Sequence, residues 1–301
     1  MPMNPATVRM SSIGIGTYLG DADEETDLNY TNAIVRAVQL GCNVIDTAAN
    51  YRFQRSERSI ARALKILADE HGIAREELVI CTKGGYLPFD GSPPRSLREY
   101  VNETFVKPGI ASFEDIVGGA HCMTPAYLQS QLDQSLRNMG IEYVDVYYIH
   151  NPESQLGYVL EAEFYSRLKL AFERLEQNRR EGKLAHYGVA TWNGFRVPPQ
   201  SREHHSLARM VDLAREVGGD DHGFRFIQLP FNLAMTEGIS VIEEAQRLGV
   251  TVVTSASLLQ GRIEPQRAIQ FVLSTSGITT ALIGMSRVEH VEENLGQDFQ
   301  D

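Results

Sequence analysis

Residues 124–150 read TPAYLQSQLDQSLRNMGIEYVDVYYIH, and the change of period inside that stretch decides the fold. Thr124 and Pro125 carry the N-cap and first-turn chemistry of a helix start, Leu128, Leu132 and Leu136 recur on one helical face, and Gly140 stops the pattern. Tyr143 to Ile149 is then a nearly all-apolar run, as expected of a strand covered on both faces. Outward in both directions the alternation repeats. Strand-like runs lie at Ile13 to Tyr18, Asn43 to Thr47, Leu78 to Thr82, Leu184 to Ala190, Phe226 to Phe231, Val250 to Ser255 and Thr279 to Ile283. Helical patterns follow them near Asn29 to Leu40, Ile60 to Leu67, Leu168 to Leu175, Ser206 to Val217, Ile239 to Leu248, Gln266 to Ser276 and Val288 to Leu295. Eight strand–helix units with no linker predict an α/β chain folded as one (β/α)8 TIM barrel over residues 1–301, rather than an open doubly wound sheet. One stretch breaks the rhythm. Residues 84–124 hold Pro88, Pro93, Pro94 and Pro108 with Gly85, Gly91, Gly109 and Gly118, which predicts a long loop insertion after the third strand, acting as an active-site lid.

Composition agrees with that class. The 301 residues are 43% hydrophobic and 22% charged, an ordinary globular balance. A net charge of −11 argues against nucleic acid or an anionic membrane as partner. Three cysteines, Cys42, Cys81 and Cys122, are an odd number and read as reduced thiols. No apolar run reaches membrane-spanning length, and the N-terminus lacks a basic segment followed by an apolar one. A cytoplasmic protein is expected.

In a barrel of this kind the site lies at the C-terminal ends of the strands, so ionisable residues closing apolar runs are the candidates. Asp46 closes the second run, with Tyr51 in the loop beyond it; Lys83 closes the third and His150 the fourth. Singly, each has a structural explanation as a turn, packing or solvated residue. Together they place an ammonium, a carboxylate, a phenol and an imidazole at one mouth. Lys83 there needs a counter-ion, which Asp46 supplies. A phenol with pKa ~10 is a reluctant acid, and a neighbouring ammonium favours its phenolate, so Lys83 is expected to make Tyr51 a better proton donor, with His150 orienting a carbonyl oxygen or sharing the proton relay. None of these groups supplies a hydride, so a reduction needs a nicotinamide cofactor.

Several stretches, in order, resemble the aldo-keto reductases: GCNVIDTAANY (41–51) followed by Ser56-Glu57, VICTK (79–83), SLRNMGIEYVDVYYIHNP (135–152), Gly182-Lys183 with Gly188-Val189, and FIQLPFN (226–232). The resemblance implies Asp46, Tyr51, Lys83 and His150 as the catalytic set and NADP(H), with NAD(H) as the other choice, bound across the barrel mouth. It replaces the dinucleotide-loop reading that Gly14, Gly16 and Gly20 superficially invite. By the same resemblance Gly16, Thr17 and Tyr18 lie beside nicotinamide and substrate, Asp46 and Gln228 near the cofactor, and Glu293 and Asn294 on adenine. Tyr86 and Phe89 are expected against the substrate.

Departures from the family pattern are equally specific. Ala190-Thr191 stands where Ser-Asn is frequent, leaving Thr191 for the carboxamide. Ser255 replaces a stacking aromatic. His290 and Gly284 occupy positions where a 2′-phosphate often meets cations, so Ser286 and Arg287 are the compensating residues the sequence offers. The chain also ends soon after its last helix, where many members carry a covering tail, which leaves the cover to the insertion. The expected function is therefore NAD(P)H-dependent reduction of a small aldehyde or ketone, or the reverse oxidation. The alternatives are a nicotinamide-binding regulatory or sensor protein with little turnover, and a phosphate-binding barrel lyase or isomerase using Lys83 as a Schiff-base nucleophile. His204, His205 and the Asp220-Asp221-His222 cluster lack metal-ligand spacing and read as solvated loops, with no metal site expected.

Overall fold

A computed structural model of the chain describes residues 9–259, 261–262 and 264–296. Its strands are β1 (Ile13–Gly16), β2 (Val44–Asp46), β3 (Val79–Gly84), β4 (Val144–His150), β5 (Leu184–Ala190), β6 (Phe224–Pro230), β7 (Thr251–Ser255) and β8 (Ile278–Gly284). Each pairs in parallel with the next, and β8 returns to β1, closing the barrel. Around it run α1 (Glu24–Gln39), α2 (Arg55–His71), α3 (Leu97–Val101), α4 (Pro125–Met139), α5 (Glu161–Arg180), α6 (Leu207–Gly218), α7 (Ile239–Leu248), α8 (Pro265–Leu273) and α9 (Val288–Leu295).

Two apolar layers hold this together, because parallel strands covered on both faces must bury both sets of side chains. Val44, Val79, Cys81, Val146, Tyr148, Phe226, Val253 and Leu282 fill the lumen. A larger layer, with Ile45, Ile80, Leu128, Leu132, Phe164, Leu168, Phe172 and Ile227, joins barrel to helices. The helix stop foreseen at Gly140 is a left-handed cap, and Gly249 caps α7 in the same way. Thr124 stands at the N-cap of α4, but its side chain does not cap; its hydroxyl lies 3.4 Å from Cys122 Sγ. All three cysteines are free and buried, and burial pushes their thiols up, Cys42 to about 11.

The insertion departs from the expected loop. Its helix α3 continues into a π-helical turn, Asn102–Val106. Leu87, Val101, Phe105, Ala111, Ile116 and Cys122 bury a small core of their own against Tyr127 of α4. It is a packed subunit of the barrel wall, closed by bridges from Tyr86 and Val117 to His121. The two histidine-bearing loops also differ from expectation: His205 is buried, stacked 5.1 Å from Phe164, and His222 is buried as well. Among the described residues no three His, Cys, Asp or Glu side chains are grouped to hold a metal, and no helix is long and apolar enough to cross a membrane.

Candidate active site

Strand register delivers the first three groups. Asp46 is the last residue of β2, paired beside Gly16 and Cys81; Lys83 lies two positions beyond Cys81 on β3; His150 closes β4 opposite Ala190, which in turn pairs with Gln228. Lys83 is fully buried and donates to Asp46 Oδ1 at 2.5 Å and to the Thr47 carbonyl at 2.7 Å. The second carboxylate oxygen of Asp46 accepts from Gln228 Nε2 at 2.8 Å. Burial opposes the charge on Lys83, but Asp46 and Tyr51 outweigh it and hold the ammonium above its ordinary value. Burial likewise pushes the Asp46 carboxyl up, while Lys83 and Gln228 pull it down.

Tyr51 begins the short turn after β2. The Lys83 ammonium sits 4.9 Å from its ring centroid, and the ring meets Tyr18 at 5.0 Å and His150 at 5.8 Å, both edge-on. Here one expectation needs correcting. Lys83 does lower the phenol's pKa, but desolvation is the larger effect and the net direction is upward. Tyr51 is thus firmly protonated, and Lys83 offsets its burial only in part.

His150 is held neutral. Burial, then Lys83 and His121, push its pKa well below the ordinary value, and Nδ1 has no partner among the described residues. A polar chain fixes the backbone beneath it: Arg167 Nη1 donates to Gln155 Oε1 at 2.9 Å, the Gln155 amide to His121 Nδ1 at 2.9 Å, and His121 Nε2–H to the His150 carbonyl at 2.7 Å. This assigns the His121 tautomer. Tyr86 stands between the two imidazoles, 5.1 Å from His150 and 5.2 Å from His121.

These groups line one cleft of about 860 Å³ at the C-terminal ends of the strands, a size suited to a small molecule or cofactor. Gly16, Thr17, Tyr18, Asp46, Tyr51, Tyr86 and His150 form one end; Thr191, Gln228 and Ser255 lie along it; Ser286, His290, Glu293 and Asn294 form the other. Lys83 lies beneath, under Asp46. Two expected residues are not brought in. Phe89 packs on Tyr100 and Phe53 inside the insertion, and Arg287 is the N-cap residue of α9 without lining the cleft. Asn50, Asn151 and Trp192 were not singled out from sequence yet line it. Asn151 has φ 44 and donates to the Tyr86 hydroxyl; it follows His150 directly, a signal available in the Ile-His-Asn-Pro run. Trp192 is 46% exposed, its loop pinned by Glu153, which accepts from the Trp192 and Asn193 amides. A second concavity, about 910 Å³ and lined by Arg9, His186 and Arg225 among others, opens at the strands' N-terminal ends, away from these groups.

With the barrel and this mouth defined, comparison with known proteins identifies the class. The aldo/keto reductase family model matches residues 12–267, and the chain belongs to that family. It is 25% identical, over 96% of its length and 84% of the relative's, to a Schizosaccharomyces pombe protein named as a proposed voltage-gated potassium channel subunit beta. It is also 25% identical to the NADH-specific methylglyoxal reductase of Escherichia coli K12, over 63% of this chain and 51% of that one. Among solved structures, an aldo-keto reductase from Klebsiella pneumoniae in complex with NADPH shares the fold with a TM-score of 0.63, at 18% identity over 95% of this chain and 85% of that one. Family membership makes the chain an oxidoreductase of the carbonyl-reducing class.

Proposed function

We propose that this protein reduces an aldehyde or ketone to an alcohol, with Tyr51 as the proton donor and a reduced nicotinamide as the cofactor. The observation that carries the reading is the convergence of Tyr51, Asp46 and neutral His150 on one cleft, with Lys83 bonded to Asp46 and set against the Tyr51 ring just beneath it. The residues present fit a dinucleotide. Among the described residues, Thr191 Oγ1, along that cleft, and Asn294 Oδ1, at its far end, are buried without partners, and such atoms are costly unless a ligand satisfies them. Thr191 and Gln228 would hold the carboxamide, Ser255 would face the ring, and Ser286, His290, Glu293 and Asn294 would hold the adenosine end. Arg287, although outside the lining, lies at the N-terminus of α9, where anions are favoured.

When bound, the reduced nicotinamide supplies the hydride. The chain's own residues do the rest. A carbonyl oxygen between Tyr51 and His150 receives a hydrogen bond from each, His150 donating as a neutral imidazole, and Tyr51 Oη gives up its proton as the oxygen gains charge. Lys83, kept charged by Asp46, stabilises the resulting phenolate. Tyr86, at the start of the insertion, walls one side of the cleft, and Tyr18 and Trp192 flank it; on this reading the insertion acts as the cover. NADPH is the first choice of cofactor, with NADH the alternative that a cleft end lined by His290 and Glu293 keeps open. A cytoplasmic location is part of the same proposal.

Tyr51→Phe tests the reading: nucleotide affinity, followed by quenching of protein fluorescence with NADPH and NADH, stays near wild type while turnover on a carbonyl panel falls by about 10²- to 10⁴-fold. Near-wild-type turnover refutes the role given to Tyr51. The regulatory reading has one observation in its favour, the likeness to the S. pombe protein over almost the full chain. Nucleotide binding with no turnover of any carbonyl by wild type would select it.

A further inference from the structure

The backbone between Tyr51 and α2 is left-handed at three successive residues with side chains, Arg52 (φ 47), Phe53 (φ 56) and Gln54 (φ 69). L-residues adopt this region singly and at a cost, so a run of three persists only where the surroundings over-determine it. The surroundings here are specific. The Arg52 side chain is buried and donates to Asp27 Oδ1 of α1 at 2.5 Å, to the Asp21 carbonyl at 2.8 Å and to the Asp23 carbonyl at 3.3 Å. Its guanidinium lies 5.3 Å over the Tyr30 ring. Asp27 is held from its other oxygen by Arg55 at 2.6 Å. On the opposite side, the Phe53 carbonyl accepts from the Gly91 amide at 3.0 Å and Gln54 Nε2 donates to the Phe89 carbonyl at 3.2 Å.

We infer that Arg52 is a positioning residue: clamped by Asp27 and the Asp21 and Asp23 carbonyls, it holds the left-handed run and thereby sets the Tyr51 hydroxyl on Lys83. The inference rests on the proposed role of Tyr51 as proton donor. The run also joins the two walls of the cleft. Asp21 and Asp23 belong to the loop that carries Tyr18 and Leu19 into the cleft, and Phe89 and Gly91 belong to the insertion that carries Tyr86. Arg52 touches neither cofactor nor reacting atoms, since it does not line the cleft.

The decisive variant is Arg52→Gly, because glycine takes φ 47 without strain, so the clamping side chain is lost without adding backbone strain. Wild type and variant are compared with NADPH and 4-nitrobenzaldehyde, alongside the carbonyl panel. The expected result is an unchanged NADPH Kd, an unchanged KM for the aldehyde and a kcat lowered by about 10- to 100-fold, the scale of a misplaced catalytic group, with partial recovery on adding millimolar guanidinium. A kcat equal to wild type overturns the inference, as does a raised KM or Kd with kcat intact, which would make the clamp a pocket wall only. If Arg52→Gly does not fold, Arg52→Lys, which keeps the charge on Asp27 and loses the fork to the two carbonyls, decides by the same three readouts. Absence of wild-type turnover on every carbonyl overturns the proposed function and the clamp's catalytic role together; a wild-type rate matched by the variant overturns the clamp alone.

Discussion

Replacing Lys83 by Met removes the one cation beneath the cleft while conserving much of its volume. Lys83 is fully buried and makes two hydrogen bonds, to Asp46 Oδ1 and the Thr47 carbonyl. Among the described residues, the variant leaves the Asp46 carboxylate with only its Gln228 hydrogen bond. Breaking a buried pair from one side costs about 3–5 kcal/mol, a large share of the roughly 5–15 kcal/mol that holds a domain folded. A fall in Tm of roughly 6–10 °C follows. The cost depends on pH. Without Lys83, desolvation leaves the folded-state pKa of Asp46 above its unfolded value, so the native form holds a proton that the unfolded chain releases. The native state is then least penalised below the ordinary carboxylate value of 3.8 and loses stability as pH rises through the raised value. The deficit relative to wild type should therefore be larger at pH 7.5 than at pH 5. Turnover falls as well, by about 10²-fold or more, because Tyr51 loses the one cation that lowers its pKa. Urea denaturation at the two pH values, with carbonyl-dependent NADPH consumption, measures both. A variant as stable as wild type at pH 7.5, or one with unchanged turnover, would refute the argument.

Two further outcomes follow from groups away from the phenol. Burial lowers His121 from 6.5 to about 4, so it contributes roughly 3 kcal/mol of stability above pH 6.5 that is lost as pH falls toward 4; His121→Gln should flatten that part of the stability–pH curve, and parallel curves for variant and wild type would exclude the assignment. Gly188 lies where β5 and β6 shift register, and a Cβ there would stand 1.8 Å from the Phe226 carbonyl oxygen; Gly188→Ala should cost about 3 kcal/mol in urea unfolding, and an unchanged midpoint would show that the strands part easily.

Asp46, Lys83 and His150 were legible because each closes an apolar run, and a strand end in a parallel barrel has one destination. Gln228 was reached through the family motif, and register then set it beside Ala190 and on Asp46. Other residues left no comparable mark. Arg52 reads as a surface cation in a polar turn, since its burial depends on a backbone handedness that glycine would have announced and arginine does not. His121 acts through contacts with Gln155 and the His150 carbonyl, far away in sequence. In the insertion Leu97, Val101 and Phe105 do recur at four-residue spacing, but that run is short and Leu87 and Ile116 lie far from it in sequence, so the prolines and glycines signalled a loop while its core went unseen. Phe89 sits near the cleft in sequence and turns inward to that core. Tyr51 is the middle case: its position after Asp46 was plain, but the sign of its pKa shift depended on a burial that no local pattern reports.

The Gln228 amide is already engaged. It donates to Asp46 Oδ2, the same carboxylate that holds Lys83. On the proposed reading, a nicotinamide carboxamide must share Gln228 with Asp46 or draw it away, and any weakening of that bond leaves more of the carboxylate's charge to Lys83. Occupancy of the cleft and protonation of the lysine are then thermodynamically linked, and linkage runs equally both ways: nucleotide affinity would carry a record of the proton inventory beneath it, before any substrate arrives.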